Sequence, residues 1–304
     1  VTIVEVGPRD GLQNEPKHVP TEVKVRFIEL LGASGLKVIE STSFVSPTWV
    51  PQLSDASDMM KLITRRSGVR YPVLTPNMKG LEKAIQAGAQ EIAIFTAASE
   101  AFNKKNTNVG IDDSLNRFRD VIDIASQENI AVRGYVSCVV GCPYQGDVAP
   151  KDAARVAVAL HEMGCYEVSM GDTIGVGTPK TVVDMFLSCI DAGVPVANLA
   201  AHMHDTYGQA LANILASLQL GISTIDASVA GLGGCPYARG ASGNVATEDV
   251  VFMLNGLGIR HGIDMDKLLD ASEFITKALG RMTNGSRAAE ALLKKRHSSS
   301  RNEE

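Results

Sequence analysis

Eight short β-rich runs alternate with helical stretches along the chain, and that alternation predicts a (β/α)8 barrel. Two further observations point the same way. Glycines follow five of the helical stretches (Gly35, Gly88, Gly164, Gly193 and Gly221), where helices stop. The unusual polar residues gather just past strands, where a parallel barrel keeps its working groups. A doubly wound open sheet is the alternative, but no early Gly-x-Gly-x-x-Gly turn supports it.

Taken in order, the strands are expected at 2–6, 38–41, 72–75, 91–96, 131–137, 167–170, 199–204 and 224–229. The helices between them are expected at 22–34, 55–66, 79–87, 114–128, 151–163, 178–192 and 207–220, and 247–255 follows the last strand. Thr21, Ser54, Asp113 and Thr247 read as N-caps, the last with Glu248 and Asp249 in its first turn. Residues 262–280 form a further helical pattern beside or below the barrel. Residues 1–285 therefore read as one catalytic domain. Residues 286–304, ending in KKRHSSSRNEE, are polar and are expected to lack structure.

With 304 residues, 45% hydrophobic, and a net charge of -5, the chain suits either one large α/β domain or two small ones, and its mildly acidic balance argues against a nucleic-acid binder. No window holds the roughly 18 apolar residues that a membrane span needs. The five cysteines form no C-x-x-C pair, which fits a reducing compartment. The chain opens directly into a strand, so the cytoplasm is expected if the source is bacterial. The mitochondrial matrix is expected if a targeting segment has been removed.

The candidate site grows from AAHMHD (200–205). Alternation along a strand turns His202 and His204 to one side, about 7 Å apart along it, placed to grip one divalent cation. Taken alone, the pair reads equally well as hydrogen-bonded core histidines. Strand one, however, ends in GPRDGLQNE (7–15), Glu40 lies near the end of strand two, and strand six ends in Gly171-Asp172-Thr173. Strand eight runs into GLGGCPYARGASGN (231–244). All of these converge on one mouth of the barrel. Each residue also has a plain reading: a surface ion pair for Arg9 and Asp10, a turn for Asp172 or Asn244, a small hydrophobe for Cys235.

Asp10, His202, His204 and an amide oxygen from Asn244 would leave about two positions open on an octahedral ion. That suits Mg²⁺ or Mn²⁺ better than a closed tetrahedral Zn²⁺. An open cation centre suits chelation of a hydroxyl and a carboxylate of one small substrate, and coordination favours the alkoxide that drives carbon–carbon cleavage. The guanidinium of Arg9 suits the negative charge left on the other fragment. A mobile Cys235 suits delivery of its proton.

Over nearly the whole chain the motifs GPRDGLQNE (7–15), ESTSFVSPTWVPQ (40–52), VLTPNMKG (73–80), RGYVSC (133–138), GCPY (141–144), GDTIGVGTP (171–179), HMHDTYGQALAN (202–213) and GLGGCPYARGASGNVATED (231–249) resemble the 3-hydroxy-3-methylglutaryl-CoA lyases, of the metal-dependent lyase/condensing barrel superfamily. The resemblance implies a (β/α)8 barrel that cleaves HMG-CoA to acetoacetate and acetyl-CoA, in leucine degradation and, in animals, ketogenesis. It implies metal ligation by Asp10, His202, His204 and Asn244, thioester polarisation by Arg9, and proton transfer by Cys235. Glu40 and Asp172 would be supporting acids, with Gln13 and Tyr135 as further substrate-site residues. An acyl-CoA substrate and a homodimer are expected, with neither nucleic acid nor membrane as partner. A condensing relative that makes a 2-alkylmalate from acetyl-CoA shares the Arg-Asp start and the His-x-His, but its last loop generally lacks the GGCPYA run. A zinc hydrolase on the same barrel usually ends its first strand, not its seventh, in His-x-His.

Overall fold

In a computed structural model of the chain, residues 1–234 and 243–301 are described. Nine strand segments form one sheet in which every pairing is parallel, in the order β2-β1-β11-β10-β9-β6-β5-β4-β3. The segments are β1 (Thr2–Glu5), β2 (Val38–Ile39), β3 (Thr42–Ser43), β4 (Val73–Leu74), β5 (Glu91–Ala97), β6 (Ala131–Ser137), β9 (Glu167–Asp172), β10 (Leu199–Met203) and β11 (Thr224–Ala227). The two ends of that order, β2 and β3, are halves of one extended stretch. Val38 pairs with Val4 on one side, and Thr42 pairs with Val73 on the other. The sheet thus closes on itself as eight strands, and all eight lie where the sequence pattern puts them. An antiparallel hairpin, β7 (Gly141–Cys142) with β8 (Gly146–Asp147), stands in the loop after β6.

The outer ring is α1 (Thr21–Ala33), α2 (Ala56–Leu62), α3 (Met78–Gln86), α4 (Glu100–Thr107), α5 (Ile111–Gln127), α6 (Pro150–Glu162), α7 (Pro179–Asp191), α8 (Ala210–Gln219) and α9 (Thr247–Gly256). Their apolar faces meet outward-facing strand residues such as Ile92, Ile94 and Val168 in one main core. Leu74, Ala93 and Tyr135 form a separate small cluster. The five predicted stop glycines all adopt positive φ, between 72° and 105°, a conformation that a side chain disfavours. The predicted caps do not hold. The N-cap positions are Pro20, Asp55, Gly110 and Ala246, none with a side-chain cap bond. The hydroxyls of Thr21 and Thr247 donate instead to acidic side chains, to the half-buried Asp55 at 2.8 Å and to the buried Glu5 at 2.6 Å. Each threonine is the first residue inside its helix, one place past the position whose side chain accepts a first-turn N–H.

Two helices follow the barrel. The first, α10 (Met265–Leu279), is capped by Asp264 and packs against α1, α9 and the segment after β11, so it lies beside the barrel. The expected structureless tail is in fact largely α11 (Arg287–Arg301). Asp249 accepts the backbone N–H of Ala288 at 2.7 Å, Ser286 accepts that of Ala289 at 3.0 Å, and Arg296 reaches Asp270 of α10 at 2.7 Å. Composition misleads here because docking secures this helix, through these bonds and the fully buried Ala289. Among the described residues no helix is long and apolar enough to cross a membrane.

Candidate active site

His202 lies near the end of β10 and His204 one residue past it, and their ring centroids are 5.4 Å apart. Asp10 comes from a π-helical turn, Gly7–Gly11, directly after β1. One ligand atom from each of Asp10, His202 and His204 lies within 4.8 Å of the others. The Nδ1 of His204 is buried and has no hydrogen-bond partner among the described residues, an arrangement that normally costs stability. Asn244 pairs with His204 through an isolated backbone bridge, and its amide donates to Asp10 Oδ2 at 2.7 Å and to the Leu232 carbonyl at 3.3 Å. The four residues expected to hold a metal therefore meet in one place.

Arg9 lies beside them. Its Nη1 donates to Asp10 Oδ1 at 2.8 Å, and its Nε donates to Glu40, which is fully buried. Tyr135 donates its hydroxyl to the other Glu40 oxygen at 2.8 Å, and the Arg9 guanidinium carbon is 5.4 Å from the centre of the Tyr135 ring. Gln13 donates to Asp10 Oδ1 at 2.6 Å. Burial opposes the charge of Arg9, yet Glu40 and Asp10 outweigh it and raise its pKa above the ordinary value. Burial likewise opposes the Asp10 carboxylate, and Arg9 with the two imidazoles holds its pKa below the usual range. Burial, with His202 alongside, pushes His204 down to about 4, which leaves it a neutral ligand at neutral pH.

Beneath these residues lies a second charged group that sequence reasoning passed over. Arg133, fully buried on β6, grips Asp226 of β11 with both terminal nitrogens, at 3.1 and 2.7 Å, and gives its Nε to Glu167 of β9 at 2.7 Å. Ser169 donates to Asp226 Oδ2 at 2.7 Å, and His202 Nδ1 lies 3.2 Å from the same oxygen. Burial works against the Asp226 charge, but Arg133 and His202 overcome it and hold the carboxyl well below its ordinary pKa. The signal was legible: a strand buried on both faces should be nearly all apolar, and a charge inside AVRGYVS or TIDA breaks that rule. Across both layers, the carboxylates of Asp10, Glu40, Asp226 and Glu167 face the guanidinium groups of Arg9 and Arg133. The excess of negative charge and the three-residue donor set fit a divalent cation.

Asp172, at the end of β9, is engaged otherwise. Its carboxylate accepts the backbone N–H groups of Val176 at 3.1 Å and Gly177 at 2.7 Å and so shapes the following loop, while burial raises its pKa. Cys235 lies outside the described residues.

A parallel eight-stranded barrel with a cluster able to hold a divalent cation and a buried arginine at the carboxyl ends of its strands is the architecture of metal-assisted barrel enzymes. Within it, the chain belongs to the HMGL-like family, whose model matches residues 1–275. It is similar to the mitochondrial hydroxymethylglutaryl-CoA lyase of Mus musculus, with 60% identity over 97% of this chain and 90% of that protein. Among solved structures it is similar to hydroxymethylglutaryl-CoA lyase from Pseudomonas aeruginosa, with a TM-score of 0.95 and 55% identity over 97% of this chain and 98% of the other. It is also similar to an HMG-CoA lyase from Acinetobacter baumannii in complex with coenzyme A and 3-methylmalate, with a TM-score of 0.91 and 35% identity over 96% and 94% of the two chains.

Proposed function

We propose that the chain cleaves 3-hydroxy-3-methylglutaryl-CoA to acetoacetate and acetyl-CoA, at a centre that holds Mg²⁺ or Mn²⁺ through Asp10, His202, His204 and Asn244. The observation that carries this reading is the convergence of Asp10, His202 and His204 within 4.8 Å, with Arg9 bonded to Asp10 at 2.8 Å. The likeness to HMG-CoA lyases over almost the full chain supports it. When bound, a divalent cation lowers the pKa of the substrate hydroxyl and favours the alkoxide.

The rest is the work of the chain's own side chains. Arg9 faces the thioester and stabilises the negative charge that develops on its oxygen as the carbon–carbon bond breaks. Glu40 holds the Arg9 Nε, and Tyr135 anchors Glu40 from the other side, so the guanidinium enters the reaction already aimed. Gln13 steadies Asp10. Cys235 returns the proton to the acetyl-CoA fragment. Asp172 supports the site through the loop that it braces. A homodimer, in the bacterial cytoplasm or the mitochondrial matrix, belongs to the same proposal, and light scattering in solution tests the dimer.

The test is incubation with HMG-CoA and Mg²⁺ or Mn²⁺, following acetoacetate and acetyl-CoA. Stoichiometric appearance of both, abolished by a chelator and restored by added cation, is the expected result. Release of free CoA from acetyl-CoA and a 2-oxo acid, with no cleavage of HMG-CoA, would move the chain to the condensing enzymes instead.

A further inference from the structure

Asp226 sits inside the barrel, fully enclosed, where a charge is expensive to keep. Burying an ion pair rarely improves stability over an apolar pair of the same volume, so its retention calls for another explanation. The geometry supplies one. Asp226 Oδ2 receives three groups from three different strands: Arg133 of β6 at 3.1 Å, Ser169 of β9 at 2.7 Å and His202 of β10 at 3.2 Å. The strands β11, β10, β9 and β6 are successive neighbours in the sheet, so this one carboxylate joins four staves of the barrel. His202 and Asp226 are direct partners in the β10–β11 register, and Arg133 and Glu167 are direct partners between β6 and β9.

Arg133 has no choice in what it can bind there. A guanidinium only donates, and its two-pronged grip on Asp226 requires both carboxylate oxygens to accept. Glu167 takes the remaining Nε and holds the fork in plane. An oxygen so engaged can meet His202 in one way only, as acceptor of a proton carried on Nδ1. The other ring nitrogen, Nε2, is then left with its lone pair.

We propose that Asp226, clamped by Arg133 and Ser169, is a positioning residue that fixes the proton of His202 on Nδ1 and so turns an unprotonated Nε2 toward the cation centre. The contrast with His204 bears on this, because its Nδ1 has no such partner among the described residues. The two imidazoles are therefore unequal: one is oriented by a carboxylate from within the barrel, the other by its strand and its bridge to Asn244. Outer partners of this kind set ligand basicity as well as orientation. This assignment rests on the metal reading of the site proposed above.

The test begins with the unmutated, cation-free protein labelled with ¹⁵N in its histidines, the His202 signals being assigned by their loss in His202→Gln. Long-range ¹H–¹⁵N spectra at pH 8 should show the proton on Nδ1 and an unprotonated Nε2. A proton on Nε2 would overturn the proposal, and this measurement does not depend on a variant that folds. Asp226→Asn keeps the shape but offers a single acceptor. Its amide nitrogen meets an Arg133 N–H at either oxygen's place, but only at the Oδ2 place does it also find acceptors, in His202 Nδ1 and a Ser169 hydroxyl turned to accept, so the His202 proton is expected to move to Nε2. Mn²⁺ titrations followed by electron paramagnetic resonance should then show affinity about 10–100-fold weaker than in the unmutated protein. Undiminished Mn²⁺ affinity in a folded Asp226→Asn protein, with the His202 proton still on Nδ1, overturns this assignment alone. Failure of the unmutated protein to bind Mn²⁺ overturns the proposed metal centre instead.

Discussion

Arg9 and Arg133 are built from the same parts. Each is a buried guanidinium set between two carboxylates, and each lies against the Tyr135 ring, with guanidinium carbons 5.4 and 4.9 Å from its centre. They differ in what is left over. Arg133 spends Nε, Nη1 and Nη2 on Glu167 and Asp226 and is sealed from solvent. Arg9 spends Nε on Glu40 and Nη1 on Asp10, and among the described residues Nη2 has no partner. The spare donor lies at the mouth of the barrel, beside the cation cluster. A saturated guanidinium holds structure, and one with a free edge has something to offer a substrate. Residue type and burial alone would have made the two equivalent.

Substitution can break that comparison at either end. The larger stability effect is expected at Arg133. Arg133→Met leaves Asp226 and Glu167 buried without their cation, and removing one member of a buried charge group typically costs about 3–5 kcal/mol. Denaturant unfolding measures it, and a loss below about 1 kcal/mol would show that the interior network is not what holds these strands together. Arg9→Gln should cost less stability, because Tyr135 still donates to Glu40, and Gln13 and Asn244 still donate to Asp10. Its effect should fall on turnover: kcat lower by about 10²–10³, the usual result of removing one donor to a developing oxyanion. Mn²⁺ binding should be retained. If Arg9→Gln unfolds as readily as Arg133→Met and keeps its kcat, the spare donor has no chemical meaning.

The eight strands and most of the helices were legible because period, glycine stops and β-branched runs all agree for a barrel. The mouth was legible for a related reason: a polar residue at or just past the end of a strand has few structural excuses, and His204, Asp10 and Arg9 stand past strand ends, His202 near the end of β10 and Glu40 between β2 and β3. The interior layer was not found. Arg133 and Asp226 lie 93 residues apart, and only the sheet register brings them together. The caps at Thr21 and Thr247 fall one residue too far along, since the helices start from Pro20 and Ala246, and the two hydroxyls donate to acidic side chains on other elements, which local sequence cannot reveal. The same holds for α11, whose first turn depends on Asp249.

A third buried carboxylate sharpens the comparison, with the smallest expected effect. Glu5, at the end of β1, is as enclosed as Asp226 but meets no guanidinium among the described residues. Its Oε1 accepts the backbone N–H groups of Gly7 at 2.8 Å and Val229 at 2.9 Å, and its Oε2 accepts the Thr247 hydroxyl at 2.6 Å. Burial outweighs these three neutral donors and pushes Glu5 up from 4.5 to about 8, the opposite direction to Asp226. In the window from 4.5 to about 8 the folded chain keeps a proton on Glu5 that the unfolded chain has released. Stability contributed by this group is therefore present at low pH, declines as pH rises through the window, and levels off above it. Glu5→Gln is neutral throughout. Its oxygen can take the same two N–H groups, and its amide can donate to a Thr247 hydroxyl turned to accept. Thermal unfolding of the two proteins from pH 5 to 8.5 should show the variant gaining on the parent steadily through the window, with little further change above pH 8. A difference that stays flat across the whole range would mean that Glu5 is ionised throughout. Three neutral hydrogen bonds would then suffice to keep a buried carboxylate charged, and the guanidinium of Arg133 would not be what distinguishes Asp226.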